Sequence, residues 1–211
     1  RGLWYIDKQS KTLKPFSIPG NNFNYFWSHV IYKVFEDSQN NLWLGTGKYG
    51  VARLNPERNK ADFFINNAQD LASLYGISHF RAIEEDRYGR IWIGSRTGFC
   101  TFDPETATFS REIPLQLQKN GIRDGFTYSI VKDTTNAMWL TIEGQGLVKV
   151  EEQIKDTFHF KVYQTDDGLK DLTLLYMTTD KQGRLWVVNN GLLYLNPYNN
   201  SFMLTDERNG L

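Results

Sequence analysis

The feature that most constrains this chain of 211 residues is an internal repeat. Four tryptophans, each within or beside a short apolar run, lie 49, 47 and 47 residues apart: Trp43, Trp92, Trp139 and Trp186. Glycines that open the next apolar run give a second spacing of 48, 48, 48 and 45 residues: Gly2, Gly50, Gly98, Gly146 and Gly191. A period of roughly 40 to 50 residues is typical of propeller blades and of some tandem-helix repeats, so the pattern inside one unit decides between them.

Each unit has the pattern of short β-strands. Between residues 30 and 66 the runs "VIYKVFED", "NLWLGT", "GVARLN" and "KADFFI" are rich in β-branched and aromatic residues and are bounded by Asn, Asp, Gly or Pro. Helical periodicity is absent over most of the chain, and only the stretch from Ala68 to Tyr75 is ambiguous. The sequence therefore predicts an all-β fold, a β-propeller made of four-stranded antiparallel blades.

The repeat also predicts the limits of the blades. We expect full blades at residues 28–66, 78–113, 126–164 and 172–205, preceded by a half blade at residues 1–17 that supplies only a third and a fourth strand. On this interpretation the chain is a segment of a larger propeller, about four and a half blades long. We expect the two flanks of such a segment to expose apolar surface.

An aspartate opens the turn between the first and second strands of every unit: Asp37, Asp86, Asp133 and Asp180. Its carboxylate can accept hydrogen bonds from backbone N–H groups further along the turn. Three residues later stands Gly or Asn, which tolerates the positive φ of a tight turn. This pattern predicts a structural role for the aspartates.

The turns and the strands around them resemble a known repeat. The segments "EDSQNNLWLGTGKYG" and "EDRYGRIWIGSRTG", together with "TDDGL" before the next unit, are similar to the two-component regulator propeller repeat. The resemblance implies the periplasmic sensor region of a hybrid two-component system in carbohydrate-foraging gut bacteria. It also implies further blades, an immunoglobulin-like domain, a membrane span and a cytoplasmic histidine kinase in a homodimeric receptor that senses an oligosaccharide.

Composition excludes several other classes of function. Formal net charge is zero and no basic cluster occurs, which argues against nucleic-acid binding. The apolar runs are too short for a transmembrane helix of about 20 residues, so we expect no direct membrane insertion by this segment. The three histidines, His29, His79 and His159, have no carboxylates at metal-ligand spacing, and we expect neither a metal nor another cofactor.

Two alternatives to a sensor remain open. The Asp, Gly and Trp spacing is reminiscent of the Asp-box turn of sialidase propellers, but that turn has one residue fewer between Asp and Gly. The arginines Arg81, Arg96 and Arg123 stand one per loop instead of in an obvious cluster. A glycan-processing enzyme, sialidase- or lyase-like, is therefore disfavoured, and we expect no catalysis by this segment. A protein-interaction scaffold is the other alternative, and an exposed apolar patch would favour it.

The repeat tryptophans are expected to be core residues. They occupy one position of the blade beside apolar neighbours, where a large ring packs between blades. Cys100 aligns with Ala52, Val148 and Leu193, so we expect a buried free thiol.

The candidate ligand site is expected on one face of the propeller. That face carries the connections between blades and the turns between second and third strands. Aromatic rings can lie against the C–H faces of a sugar, and charged or amide groups can bind its hydroxyls. The residues predicted to do so are Tyr25, Trp27, His29, Tyr49, Arg96, Tyr128 and Glu143.

Overall fold

The computed structural model of the chain describes residues 2–18, 30–47, 50–64, 78–154, 156–169, 171–173, 176–188, 191–196 and 201–204. Within these ranges one two-stranded sheet is followed by four antiparallel four-stranded sheets. The prediction of a β-propeller with four-stranded blades is confirmed.

Each sheet is one blade, and its strands follow one another in the chain. The half blade consists of β1 (Trp4–Ile6) and β2 (Leu13–Pro15). The first full blade consists of β3 (Ile31–Glu36), β4 (Leu42–Thr46), β5 (Val51–Leu54) and β6 (Ala61–Phe64). The second consists of β7 (Ala82–Glu85), β8 (Ile91–Ser95), β9 (Gly98–Asp103) and β10 (Thr108–Ser110).

The third blade consists of β11 (Thr127–Lys132), β12 (Met138–Ile142), β13 (Gly146–Ile154) and β14 (Thr157–Tyr163). The fourth consists of β15 (Tyr176–Thr179), β16 (Leu185–Val188), β17 (Leu192–Leu195) and β18 (Phe202–Leu204). The first strands of neighbouring blades contact one another in the order β3, β7, β11 and β15. These four strands therefore line the centre of the array.

The aspartate turns have the same geometry in all four full blades. In the second blade, Oδ1 of Asp86 accepts hydrogen bonds from the backbone N–H groups of Tyr88 and Arg90, and Gly89 has a φ of 80°. The other turns have Asn40, Asn136 and Gly183 at the position of Gly89, with φ values of 62°, 67° and 76°. The predicted structural role of the aspartates is confirmed.

A second hydrogen bond joins each turn to its repeat tryptophan. The indole Nε1 donates to Oδ2 of the aspartate six residues earlier, over 2.7–2.9 Å: Trp43 to Asp37, Trp92 to Asp86, Trp139 to Asp133 and Trp186 to Asp180. Because a buried indole N–H needs an acceptor, this bond allows the ring to lie in the core. The constant spacing of six residues was a signal for it that the sequence interpretation did not use.

The tryptophans pack between blades, as predicted. Trp43 lies in a cluster with Ile83 and Ile93 of the second blade, and Trp92 lies in a cluster with Ile130 and Leu140 of the third. Trp139 lies among Met177, Leu185 and Val187 of the fourth blade. Trp186, in the fourth blade, is half-buried. The expected buried thiol is also confirmed, and burial raises the pKa of Cys100 to about 12.

The repeat glycines are required by the backbone. All five have positive φ, from 90° to 138°. At Gly98 an added Cβ would also lie 2.3 Å from Oδ2 of Asp124, closer than any side chain allows. This glycine therefore lets the connection to the third blade pack tightly against the turn between β8 and β9.

Two features differ from the regular repeat. Helix α1 (Glu112–Lys119) follows the second blade and buries Ile113 and Leu117 in the cluster that joins the second and third blades. The outer hairpin of the third blade, which has Glu151-Glu152 in place of Asn-Pro or Asp-Pro, also departs from the regular repeat. The pairing of β13 with β14 continues to Glu152 with Phe158 and, beyond a bulge, to Ile154 with Thr157.

The outermost sheets carry exposed apolar side chains, as expected of the flanks. On the half blade Trp4 is 51% exposed, and Ile6 and Leu13 are each 66% exposed. On the fourth blade Tyr176, Val188 and Met203 are exposed. In the interior of the array, neighbouring blades cover the corresponding surfaces.

Candidate functional site

The two faces of the propeller have different chemistry. The aspartate turns form one face, and Glu85 of the second blade accepts hydrogen bonds from the backbone N–H and Oγ of Ser38 in the turn of the first. The opposite face, called here the loop face, carries the connections between blades and the turns between second and third strands. The turns of the first and second blades are thus joined on the aspartate-turn face.

The structure describes three of the seven predicted site residues. Arg96 lies in the turn between β8 and β9, and Glu143 lies in the turn between β12 and β13. Tyr128 lies near the start of β11, at the centre of the array. All three are on the loop face. The other four, Tyr25, Trp27, His29 and Tyr49, lie outside the described residues.

A cluster around Arg81 lies at the centre of the loop face. Its guanidinium carbon is 4.6 Å from the ring centre of Tyr32, in the first blade, and 5.6 Å from that of Phe126, beside the third. Phe126 in turn stacks on Tyr128, with ring centres 3.8 Å apart and an angle of 21° between the planes. Tyr32, Arg81, Phe126 and Tyr128 are together called the Arg81 cluster.

The backbone holds the cluster in place. The N–H of Glu143 donates to the carbonyl of Phe126, and the N–H of Arg81 donates to the carbonyl of Gly94. Residues 78–80 are fixed in the same way, because the N–H groups of His79 and Phe80 bind the carbonyls of Gly47 and Thr46. The cluster therefore lies on rigid strand ends contributed by three consecutive blades.

Most of this cluster was missing from the sequence prediction, although the repeat contained a signal for it. Tyr32, Arg81 and Tyr128 each stand five residues before the aspartate of their turn. Equivalent positions on the central strands meet at the centre of a propeller, so these side chains are brought together by the fold. Phe126 stands two residues before Tyr128, and no spacing in the sequence singled it out.

The charged groups of the loop face fall into two sets. Arg111 forms an ion pair with Asp124 at 3.1 Å, and the side chain of Asp124 is 9% exposed. Burial raises the pKa of Asp124, although the nearby charge of Arg111 lowers it in part. By contrast, the side chains of Arg96, Arg123 and Glu143 are exposed and form no hydrogen bond or ion pair with other residues that the structure describes.

Deeper in the centre, a carboxylate lies near two lysines. Burial raises the pKa of Glu84, and the charges of Lys132 and Lys33 lower it in part. The three side chains belong to the central strands β7, β11 and β3. Glu85 also lies close enough for its charge to raise the pKa of Glu84, so two lysines and two glutamates share this layer below the Arg81 cluster.

The flank of the array offers a different kind of cavity. A groove of about 570 Å³ lies between the half blade and the first full blade, with Trp4, Phe16, Val34 and Leu42 in its lining. The walls of the groove are mainly apolar. In a full blade, the two inner strands of the sheet occupy the space that the groove occupies beside the two-stranded half blade. We therefore regard this groove as packing surface. In the described part of the chain, no three His, Cys, Asp or Glu side chains are grouped as a metal site.

The four-stranded sheets, arranged around their first strands, define a β-propeller. The family model of the two-component regulator propeller matches residues 25–48 and 75–97, which agrees with the resemblance carried by the repeat. A curated relative, histidine kinase P4 of Formosa agariphila, is 29% identical over 96% of this chain and 18% of its own length. Among the described residues, no helix has the length and hydropathy needed to cross a membrane.

Solved structures show the same fold. The extracellular domain of a hybrid two-component system of B. thetaiotaomicron superposes with a TM-score of 0.73 at 22% identity, covering 99% of this chain and 26% of that one. Virginiamycin B lyase from Staphylococcus aureus superposes with a TM-score of 0.67 at 11% identity, covering 96% of this chain and 62% of the lyase. The chain thus spans about a fifth to a quarter of the two-component relatives it matches.

Proposed function

We propose that this chain is part of the ligand-sensing, extracytoplasmic propeller region of a two-component sensor and that it recognises a carbohydrate. The observation that supports the proposal most directly is the Arg81 cluster, which offers stacked aromatic rings and one charged group at the centre of the loop face. Sugar recognition needs both kinds of group, a ring against its C–H face and polar partners for its hydroxyls. The similarity to a histidine kinase and to an extracellular two-component domain supports the sensor role.

The proposed site contains the seven residues predicted from the sequence and extends to Tyr32, Arg81 and Phe126. Tyr128 is its best-placed aromatic residue, because it is half-buried and held by Phe126. Within the proposal, Tyr25, Trp27, His29 and Tyr49, which lie outside the described residues, supply further contacts to the ligand. Arg96 and Glu143 contribute exposed charges at its rim.

Binding alone does not transmit a signal. The ligand must bind one arrangement of the receptor more tightly than another, so that its binding energy shifts the balance between them. We propose a periplasmic location, a homodimeric receptor and a cytoplasmic histidine kinase as the setting for this shift. This segment itself acts by binding and carries out no catalysis in the proposal.

The test is a glycan array on the intact receptor, followed by calorimetry with the glycans that bind. We expect Tyr128→Ala to weaken glycan binding by about 10-fold or more, since stacked aromatic anchors often contribute more than 1 kcal/mol. Tyr88→Ala is the matched control, because Tyr88 is an exposed tyrosine on the aspartate-turn face. Unchanged affinity in Tyr128→Ala would place the ligand elsewhere.

A protein-interaction surface is the second candidate function. Exposed Trp4, Ile6 and Leu13 favour it, since they lie together on the half blade. Two results together would favour this second function. The glycan array would show no binding, and the intact receptor would form a stable complex with another protein, which the Ile6→Lys substitution abolishes.

A further inference from the structure

We propose that the Arg81 cluster selects an acidic sugar, whose carboxylate binds the guanidinium of Arg81 while its ring lies against the aromatic side chains beside it. This inference rests on the proposed function and narrows it from carbohydrates in general to those that carry a carboxylate. It assigns a role to Arg81 that differs from that of the exposed arginines around it.

Aromatic rings position the guanidinium of Arg81, and no carboxylate in the described ranges neutralises it. Its carbon lies over the rings of Tyr32 and Phe126, and it forms no ion pair or side-chain hydrogen bond with any other residue in the described ranges. A guanidinium that stacks on aromatic rings keeps its N–H groups available in its own plane. A carboxylate can therefore accept two parallel hydrogen bonds from a guanidinium that is already held in place.

Charges of both signs surround the cluster, and none of the carboxylates in the described ranges forms an ion pair with Arg81. On the loop face Arg96 and Arg123 are exposed, and so are the carboxylates of Glu143, Asp166 and Asp167, while the charge of Asp124 is balanced by Arg111. Beneath the cluster, Lys33 and Lys132 flank Glu84. The selection for an anion therefore rests on Arg81 itself, which is the charged member of the cluster.

The aromatic part of the cluster favours a ring-bearing ligand over a small ion. Tyr128 and Phe126 form a stacked pair whose position is fixed by backbone hydrogen bonds on either side. Tyr32, on the other side of Arg81, is 39% exposed. A pyranose with a carboxylate on its ring would contact the guanidinium and an aromatic surface together, which neither a neutral sugar nor a simple anion can do.

The experiment compares matched acidic and neutral glycans on the intact receptor by calorimetry. The probes are galacturonate-terminated and galactose-terminated oligosaccharides, glucuronate-terminated and glucose-terminated oligosaccharides, and sodium acetate and sodium sulfate as anions without a sugar ring. The variants are Arg81→Gln, Arg81→Lys and the control Arg123→Gln. Both glutamine variants remove one positive charge from the loop face, but Arg123 has no aromatic contact in the described structure.

We expect an acidic glycan to bind the wild type at least about 10-fold more tightly than its neutral counterpart. Arg81→Gln should weaken that binding about 10- to 100-fold, which corresponds to the loss of hydrogen bonds to a charged group. Arg81→Lys should restore part of it, and Arg123→Gln should change it less than about 3-fold. Circular dichroism and the melting temperature of each variant show whether it is folded. If Arg81→Gln does not fold, Arg81→Lys still tests the inference.

Four results would overturn the inference. If acidic and neutral members bind equally, the receptor recognises sugars but not through a carboxylate, and the proposed function alone survives. If Arg123→Gln weakens binding of the acidic glycan as much as Arg81→Gln does, the general charge of the loop face attracts the ligand, and the cluster does not. If acetate or sulfate binds as tightly as the acidic glycans, the cluster is a simple anion site. If no glycan binds, both this inference and the proposed function fail.

Discussion

At the scale of single residues, the bond between each repeat tryptophan and its turn aspartate links local geometry to packing. One carboxylate oxygen closes the turn and the other accepts the indole N–H, so the ring can be buried without an unsatisfied donor. The tryptophan then fills the space between two blades. The same aspartate and tryptophan thus specify both a hairpin and the contact with the next blade.

Trp92→Ala should lower the free energy of unfolding by about 3 to 5 kcal/mol, because it removes a large ring that is 1% exposed and leaves a cavity between blades. Chemical denaturation measures the change. Tyr88→Ala, which truncates an exposed ring in the neighbouring turn, should change stability by about 0.5 kcal/mol or less. Equal, small effects in both variants would contradict the packing assigned to the tryptophans.

The pKa of Asp180 predicts that the stability of the fold depends on pH. Burial raises the pKa of its carboxyl group, but hydrogen bonds from Trp186 and Arg184 lower the pKa by more than burial raises it, to about 2. Because the pKa is lower in the folded state, the carboxylate stabilises the fold above the ordinary pKa of about 4, and this contribution is lost as pH falls towards 2. Urea unfolding between pH 2.5 and 5 should therefore show that acidification lowers the free energy of unfolding less in Asp180→Asn than in the wild type. Parallel pH profiles for the two proteins would contradict this assignment.

At the scale of elements, the strands could be predicted from the sequence because each is a short apolar run closed by a turn residue. Helix α1 could not, since its eight residues are too few to display a helical period and include Pro114. The Arg81 cluster was only partly predictable for a different reason. Its members are distant in the chain. The residues five positions before each turn aspartate become neighbours only when the fold places the central strands side by side.

The packing of α1 can be tested with two leucines of the same helix. Leu117 is 1% exposed in the cluster between the second and third blades, whereas Leu115 is 49% exposed. We expect Leu117→Ala to lower the free energy of unfolding by about 2 to 5 kcal/mol and Leu115→Ala to change it by about 0.5 kcal/mol or less. Similar values for the two variants would mean that α1 does not pack as described.

At the scale of the whole molecule, the interior interfaces bury apolar and aromatic side chains, while the flanks of the array expose such side chains. Trp4 and Ile6 at one flank and Tyr176 and Val188 at the other are exposed in the chain by itself. Contiguous exposed apolar surface favours association. The isolated chain should therefore form oligomers whose size rises with concentration in sedimentation velocity, and Ile6→Lys should reduce this tendency. A monomer at all concentrations would contradict the expectation.

The central claim is that ligands bind at the loop face, at the centre of the array. Hydrogen exchange of the intact receptor, with and without a glycan identified on the array, tests it most directly. The account predicts slower exchange in residues 30–33, 78–83 and 124–130, which carry and surround the Arg81 cluster, and unchanged exchange in the aspartate turns at residues 37–40, 86–89 and 133–136. Protection confined to the aspartate turns, or none in this chain while the glycan is bound, would contradict it.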